Sequence, residues 1–192
     1  MKKKPVLAWH FVNETLRDGS PIPKDGVWLE FKGKCVMCES GLHASRNPFD
    51  ALQYAPGATL CLVAVEGIED EQDDKLVCRR RKIIARMDAT ELCRYFARMQ
   101  ALSVIHLYPN GTDDVVFDYL MTGDEKTRDA AWAAARDAAW AAARAAAWDS
   151  ARDSARAAAW DAAWDAARAA ALAAAKNEFT QLVYECFEDY VC

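Results

Sequence analysis

A run of four basic residues, Arg79-Arg80-Arg81-Lys82, is the part of the chain best suited to bind an anion. Guanidinium groups donate paired hydrogen bonds to phosphate or carboxylate, so clustered arginines are typical of phosphate sites. Side chains alternate between the faces of a strand, and such a run would direct two cations to each side. The same run also fits a solvated sheet edge, where charge discourages pairing with other strands. The residues alone leave both interpretations open.

Metal or catalytic motifs are weak by comparison. Cys35-Val-Met-Cys38 has His43 nearby, but a structural zinc site needs four ligands and usually a second cysteine pair. We therefore predict no metal site and no cofactor. The sequence has no Ser-His-Asp arrangement, phosphate-binding loop or dinucleotide fingerprint, and no catalytic residue is predicted. Cys61 and Cys78 lie in strand-like surroundings and are expected to be buried thiols.

Composition excludes several classes of protein. The chain has 192 residues and a net charge of −5, which argues against general nucleic-acid binding. It has no apolar run of about 18 residues, so no membrane span is expected. It also lacks the apolar stretch of a signal peptide, which predicts a cytoplasmic protein with reduced cysteines.

The elements that must position the candidate residues are β-rich up to residue 87. Short β-branched and aromatic runs predict strands, and glycine- and proline-rich turns bound them, one of which spans Gly67–Asp74. One short helix is expected between them, with Asn47 as its N-cap and Pro48 at its first position. The predicted strands are Pro5–Val12, Val27–Phe31, Thr59–Glu66 and Leu76–Ala85. The predicted fold class is α+β.

The second half is predicted to be helical throughout. A helical connector at 88–125 contains a helix over Ala89–His106, capped by Asp88, which Pro109-Asn110-Gly111 ends. A shorter helix then begins at Asp113 or Asp114 and reaches Leu120. Residues 126–176 are predicted to form one long alanine-rich helix of about 75 Å, and 177–192 an amphipathic C-terminal helix. The tail could dock on the β-rich half or on a sister chain.

Tryptophan or arginine occupies almost every fourth position from Arg128 to Lys176, and alanine fills most of the gaps. A four-residue step advances about 40° beyond one turn, so this row spirals round the helix. Trp–Arg neighbours can form cation–π pairs, and Asp–Arg pairs can add ion pairs. Exposed tryptophans would promote aggregation, so we expect a homo-oligomer. The predicted interface residues are Trp132, Trp140, Trp148, Trp160 and Trp164.

Two alternatives to a long interaction helix stay open. The tetrads could be a low-complexity expansion that folds harmlessly as helix. They could also form a helical hairpin, with a turn at Asp149-Ser150 or Asp153-Ser154.

The span GLHASRNPFDALQYAPGATLCLVAVEG at 41–67, followed by DDKLVCRRRKI at 73–83, resembles a domain family of unknown function. That family recurs in bacteriophage, prophage and bacterial genomes, and its members often have alanine-rich repeat tails. The resemblance covers about residues 5–125. It implies a phage or prophage protein in the cytoplasm of a bacterial host, without a known activity.

Part of the same span is similar to ADP-ribosyltransferases. Trp9-His10 resembles their first-strand aromatic-His element, His43-Ala44-Ser45 their triplet, and Ala51 to Tyr54 their A-x-x-Y helix. In that family these elements hold nicotinamide and its ribose, and a later strand provides a catalytic glutamate. The corresponding strand here contains the basic run instead, while Glu69 and Glu71 lie in an earlier loop.

These patterns together predict a pocket for an anionic, partly aromatic ligand such as a nucleotide. His43 also fits a buried histidine bonded to backbone. The predicted ligand-binding residues are Trp9, His10, His43, Ser45, Tyr54, Arg79, Arg80 and Arg81.

Three functions are compatible with the sequence. The first is a non-enzymatic phage or prophage accessory protein, such as a counter-defence protein, that binds a host defence factor or a nucleotide-like ligand. The second is an ADP-ribosyltransferase-like enzyme, and the third a purely structural oligomerisation protein.

Overall fold

Runs rich in valine, leucine and isoleucine between residues 6 and 88 form an antiparallel sheet, because bulky and β-branched side chains suit extended backbone. A computed structural model describes the backbone of residues 4–107, 114–150 and 157–191, and the side chains of 4–106, 114–139 and 168–191. The strands are β1 (Val6–Val12), β2 (Leu29–Glu30), β3 (Leu42–Ala44), β4 (Thr59–Glu71) and β5 (Leu76–Asp88).

Helices separate and follow the strands, and the fold is α+β as predicted. A 3₁₀ turn at Ile105–Leu107 follows the second helix. The α-helices are α1 (Pro48–Leu52), α2 (Thr90–Ser103), α3 (Asp114–Thr122), α4 (Glu125–Ser150), α5 (Ala157–Cys186) and α6 (Glu188–Val191).

The chain divides into two compact units. The first contains Met1–Glu91 together with Lys176–Cys192, and the second contains Leu92–Ala175. The first unit therefore combines the whole sheet with the C-terminal end of α5.

The strand pairings of the first unit form a closed circuit. β1 pairs with β4, β4 with β5, and β5 with β3, all antiparallel. Beyond β3, Ser45 and Trp9 exchange backbone hydrogen bonds of 2.8 and 2.9 Å, which link β3 back to β1. β2 pairs with β5 at Arg80 and Arg81. Because of this circuit, β1, β3 and β5 enclose a common interior.

The predicted turn at Gly67–Asp74 is wrong, because β4 continues through it to Glu71. Gly67 adopts a φ of 65°, and a Cβ at this position would lie 3.2 Å from that of Arg79. Glycine thus lets the strand pass where another residue would be strained. A register shift between Ile68 and Asp70 absorbs one extra residue, and the turn closes at Gln72 and Lys75.

α1 begins as the sequence predicts. Asn47 accepts a hydrogen bond of 2.8 Å from the Phe49 N–H, and Pro48 occupies the first turn. Asp88 likewise accepts one of 2.8 Å from the Thr90 N–H at the start of α2. That helix ends at Ser103 rather than His106, and Pro109-Asn110-Gly111 lies outside the described residues.

The C-terminal segment completes the core of the first unit. Tyr184 stacks on Trp9 with ring centroids 5.8 Å apart, Phe187 meets Trp9 edge-on at 5.1 Å, and Phe179 contacts Phe49. Lys176 donates to the buried Asp50 carboxylate at 2.7 and 2.8 Å. The tail therefore docks on the strand-rich half, which was one of the two predicted alternatives.

No helix end separates the tetrads from the tail. The boundary expected between residues 176 and 177 lies inside α5, because alanine, leucine and glutamate maintain helix propensity through it. Asp149-Ser150 is helical, since it lies within α4 (Glu125–Ser150). The candidate turn Asp153-Ser154 lies outside the described residues, and the choice between one helix and a hairpin stays a prediction.

Every secondary-structure element in the described part of the second unit is helical. α3 packs against α4, and Gly123 separates them with a φ of 68°. None of the helices in the described ranges combines the length and apolarity of a transmembrane segment.

Candidate functional site

The first unit contains a cleft of about 950 Å³. Its walls come from β1, β2, β3, the end of α1 and the loops at 13–18 and 38–41. This volume lies at the upper end of the range of roughly 300–1,000 Å³ that is usual for small-molecule sites. Of the predicted ligand-binding residues, Trp9, His10, His43, Ser45, Tyr54 and Arg81 line the cleft, whereas Arg79 and Arg80 do not.

Arg81 is the buried cation of this cleft, with 7% of its surface exposed. It lies on β5 opposite Val65, and its Nη1 donates to the carbonyl oxygen of His43. No carboxylate in the described part of the chain pairs with it. Burial lowers the pKa of Arg81 to about 10, an effect that the nearby Cys78 and Cys61 thiols partly oppose. The cleft wall thus holds a charged guanidinium without a counter-ion.

The other cations of the basic run have partners outside the cleft. Arg79 is ion-paired with Glu69 at 2.6 Å, and Arg80 with Glu66 at 2.5 Å. Arg80 and Lys82 both lie over the Trp28 ring, 4.5 and 5.0 Å from its centroid. Alternation along β5 therefore separates Arg81 from Arg80 and Lys82, as the sequence indicates. Alternation places Arg79 on the same side of β5 as Arg81. Arg79 lies nearer the start of the strand, however, where it forms the exposed ion pair with Glu69.

Two neutral imidazoles lie beside Arg81. Burial lowers the pKa of His10 well below its usual value, and Arg81 and His43 lower it further. Burial and Arg81 also lower the pKa of His43, and Lys75 and Arg17 contribute. His43 Nε2 accepts a hydrogen bond of 3.0 Å from the Cys38 N–H, which fixes it as an acceptor. Both rings can therefore orient a ligand without adding charge.

The lowered histidine pKa values predict a loss of stability in mild acid. An unfolded histidine titrates near about pH 6.5, so below that pH the unfolded chain binds protons that folded His10 and His43 do not. The free energy of unfolding should therefore fall as the pH drops from about 6.5 to about 5. Each histidine should contribute a fall of up to about 1.4 kcal/mol for each pH unit. Urea unfolding across this range should show a shallower pH dependence for His10→Gln. Equal slopes for the wild type and His10→Gln would contradict the assignment.

Tyr54 marks the mouth of the cleft and is 48% exposed. Its hydroxyl donates to the Asp74 carboxylate, and Lys75 Nζ donates to the same hydroxyl at 3.3 Å. Lys75 also lies 4.9 Å from the centroid of the ring. Tyr54 thus presents an aromatic surface together with a cation at the entrance.

Trp9 and Ser45 are more buried than a simple pocket wall requires, at 3% and 2% exposed. The Trp9 ring is committed to Tyr184 and Phe187, so it is a weaker candidate for stacking on a ligand. The Ser45 backbone pairs with Trp9, while its hydroxyl has no hydrogen bond to any described group. That hydroxyl is a polar handle available inside the cleft.

Sequence reasoning missed several charged or nucleophilic lining residues. Arg17 and Lys75 are cations of the cleft, and Asp18, Glu30 and Glu39 are its carboxylates. Cys38 lines it as well and was considered only as part of a zinc motif. Lys75 follows two aspartates in a turn and Arg17 lies in an irregular loop, so no periodic pattern marked either residue. The positive φ of Cys38 (65°) is likewise not encoded in its residue type.

Glu69 and Glu71, which were considered as transferase carboxylates, lie outside the cleft lining. Glu69 pairs with Arg79, and Glu71 with Arg46 at 2.7 Å. The Arg46 hydrogen bonds lower the pKa of Glu71. Both side chains are engaged at the surface as anions.

Trp132 of the predicted interface is 68% exposed, and Arg136 lies over its ring at 5.6 Å. The expected Trp–Arg contact is thus present at this pair. The side chains of Trp140, Trp148, Trp160 and Trp164 lie outside those described.

Cys61 and Cys78 are buried free thiols, as predicted, and burial raises the pKa of each to about 11. Within the described ranges, His, Cys, Asp and Glu side chains form no group of three or more that could hold a metal.

Residues 6–95 match the model of a family described as a domain of unknown function (DUF7666). The matched span contains all five strands and ends within α2. It stops at residue 95, whereas the sequence resemblance to a family of unknown function was expected to reach about residue 125. No curated protein and no solved structure matches the chain.

Proposed function

We propose that the chain is a non-enzymatic binding protein whose cleft takes an anionic, partly aromatic small molecule, such as a nucleotide or dinucleotide. The observation behind the proposal is Arg81, a buried guanidinium that lines the cleft without a carboxylate partner. Taking an ion out of water costs several kcal/mol unless an opposite charge compensates. A phosphate at Arg81 would supply that charge and accept two parallel hydrogen bonds.

Neighbouring groups suit the rest of such a ligand. The Ser45 hydroxyl and the neutral imidazoles of His10 and His43 offer uncharged hydrogen-bonding groups beside the guanidinium. Tyr54 offers an aromatic face at the mouth, where Lys75 adds a second cation. Glu30 and Glu39 are acceptors for sugar hydroxyls, which a nucleotide carries in addition to its phosphate.

Isothermal titration calorimetry with mono-, di- and cyclic nucleotides tests the proposal against their uncharged nucleosides. We expect at least one nucleotide to bind about tenfold or more tightly than its nucleoside, since one charge-assisted contact contributes about 1.5–3 kcal/mol. Absence of binding by every nucleotide, or equal affinity for the nucleoside, would refute the proposal.

The transferase alternative predicts turnover, and we expect none. Glu69 and Glu71 are ion-paired outside the cleft, which leaves them poorly placed to stabilise an oxocarbenium-like transition state. Incubation with NAD should give neither nicotinamide release nor ADP-ribose transfer. Release that disappears in Glu30→Gln or Glu39→Gln, the carboxylate variants of the cleft lining, would establish the enzyme instead.

We also propose that the tetrad helix joins copies of the chain into a homo-oligomer, because Trp132 and Leu172 are 68% and 58% exposed. Replacing the five tetrad tryptophans with glutamine preserves the helix-forming alanines and should yield monomers by light scattering. Replacing Arg136 and Arg168 with glutamine provides a control that leaves the aromatic row intact. A wild type that is monomeric at micromolar concentration would contradict the proposal.

The biological setting is proposed from the sequence resemblance. A phage or prophage accessory protein in the bacterial cytoplasm would use the cleft for a nucleotide signal or the tetrad helix for a host defence protein. The purely structural alternative predicts a stable oligomer without any ligand in the cleft, and the calorimetric panel separates the two.

A further inference from the structure

Cys38 lies at the tip of a tight loop that points it into the cleft. Val36 and Ser40 pair at the base of the loop, with backbone hydrogen bonds of 2.9 Å in both directions. Cys38 adopts a φ of 65° and its N–H donates to His43 Nε2 at 3.0 Å. The residue is exposed and lines the cleft beside His43.

Lys75 places a cation next to this thiol. The neighbouring Cys38 sulfur and Tyr54 hydroxyl raise the pKa of Lys75, which keeps it an ammonium. Its contacts with Tyr54, at 3.3 Å to the hydroxyl and 4.9 Å to the ring centroid, hold it in that position. Lys75 thus provides a positive charge beside the cysteine, where it would attract an anionic reagent.

Two buried groups indicate that the same cleft receives a ligand. The Ser45 hydroxyl is inside it without a hydrogen-bonding partner among the described groups, and the residue is 2% exposed. Arg81, at 7% exposed, adds an uncompensated positive charge. An anion drawn towards Arg81 and Lys75 would pass close to the Cys38 sulfur.

We propose that Cys38 is a covalent-modification site that reacts selectively with anionic electrophiles entering the cleft. The Cys38 thiolate attacks the electrophilic carbon, a sulfur–carbon bond forms, and the leaving group departs with the electron pair of its broken bond to carbon. The thiol proton is released to solvent. The preference for anionic reagents rests on the proposed function of the cleft. The exposure of the thiol is independent of that proposal.

The other described cysteines provide internal references. Cys61 and Cys78 are fully buried, and burial raises the pKa of each to about 11, so they should stay unreactive while the protein is folded. Cys35 and Cys93 are half-buried. Cys186 is exposed on α5 beside Glu185 and lies outside the lining of the cleft.

Competitive alkylation tests the proposal with two reagents that share one leaving group. Iodoacetate is anionic and iodoacetamide is neutral, so the ratio of their rates at one cysteine reports the local electrostatic preference. The rates are measured by peptide mass spectrometry on the full chain, and each native ratio is divided by the ratio for the same cysteine in urea. We expect this normalised ratio to be raised about fivefold or more at Cys38 and not at Cys186.

The Lys75→Met variant should lower the Cys38 ratio, while Arg79→Gln, which removes an exposed cation outside the cleft, should not change it. Continued protection of Cys61 and Cys78 verifies that each variant is folded. A normalised ratio near one at Cys38 of the wild type, or a raised ratio unaffected by Lys75→Met, overturns the proposal. A raised, Lys75-dependent ratio together with no nucleotide binding would overturn the proposed function alone.

Discussion

Replacing Arg81 with methionine should weaken nucleotide binding about tenfold or more while leaving the protein folded. The affinity falls because the variant lacks the buried charge that would meet the phosphate, a contact worth about 1.5–3 kcal/mol. Stability should change by less than about 2 kcal/mol, since two effects oppose each other. The His43 carbonyl loses its hydrogen bond, but an uncompensated guanidinium no longer has to be desolvated.

Arg79→Gln is the matched control, because it removes one positive charge from the same strand outside the cleft. The Arg79–Glu69 pair is exposed, so this variant should shift stability by less than about 1 kcal/mol and leave binding unchanged. Calorimetry and urea unfolding on both variants give the two readouts. Equal loss of affinity in both would mean that the cations act through net charge alone, and the role assigned to Arg81 would be wrong.

The Phe179→Ala variant should lower the free energy of unfolding by about 3–5 kcal/mol, the usual cost of removing a buried phenylalanine. Phe179 is fully buried and contacts Phe49 of α1, so its loss leaves a cavity between the C-terminal helix and the strand-rich half. Urea denaturation followed by circular dichroism would measure the change.

Leu172→Ala is the matched control on the same helix, where the side chain is 58% exposed. Its effect should stay below about 0.5 kcal/mol, because exposed substitutions away from special features are nearly neutral. A similar small loss for Phe179→Ala would show that the tail does not belong to the core. Residues 6–95, which the family model matches, would then fold without the tail. The burial of Phe179, Val183 and Phe187 predicts the opposite.

Much of the strand-rich half could be predicted because local rules determine it. Asn47 and Pro48 mark the start of α1, and strand alternation separates Arg81 from Arg80 and Lys82. The short β3 is not among the predicted strands, since three residues are too few to show a period. Gly67 predicts a turn in the sequence, although an isolated glycine suits a strand bulge equally well.

The partners of each charge could not be predicted, because they depend on residues distant in sequence. Asp50 accepts hydrogen bonds from Lys176, which lies 126 positions away, and Trp9 stacks with Tyr184. Cross-strand pairing brings Glu66 and Glu69 to Arg80 and Arg79, which leaves Arg81 as the cation of the run that faces the cleft. Lys75 and Cys38 meet only because the closed circuit of strands brings β3 and β5 together.

A crystal structure of the chain with a nucleotide from the calorimetric panel tests the central claim most directly. The account predicts the phosphate within hydrogen-bonding distance of the Arg81 guanidinium, with the base or sugar extending towards Tyr54 and Lys75 at the mouth. A nucleotide bound instead to Arg79, Arg80 or Lys82 on the outer surface, with the cleft unchanged, would contradict it.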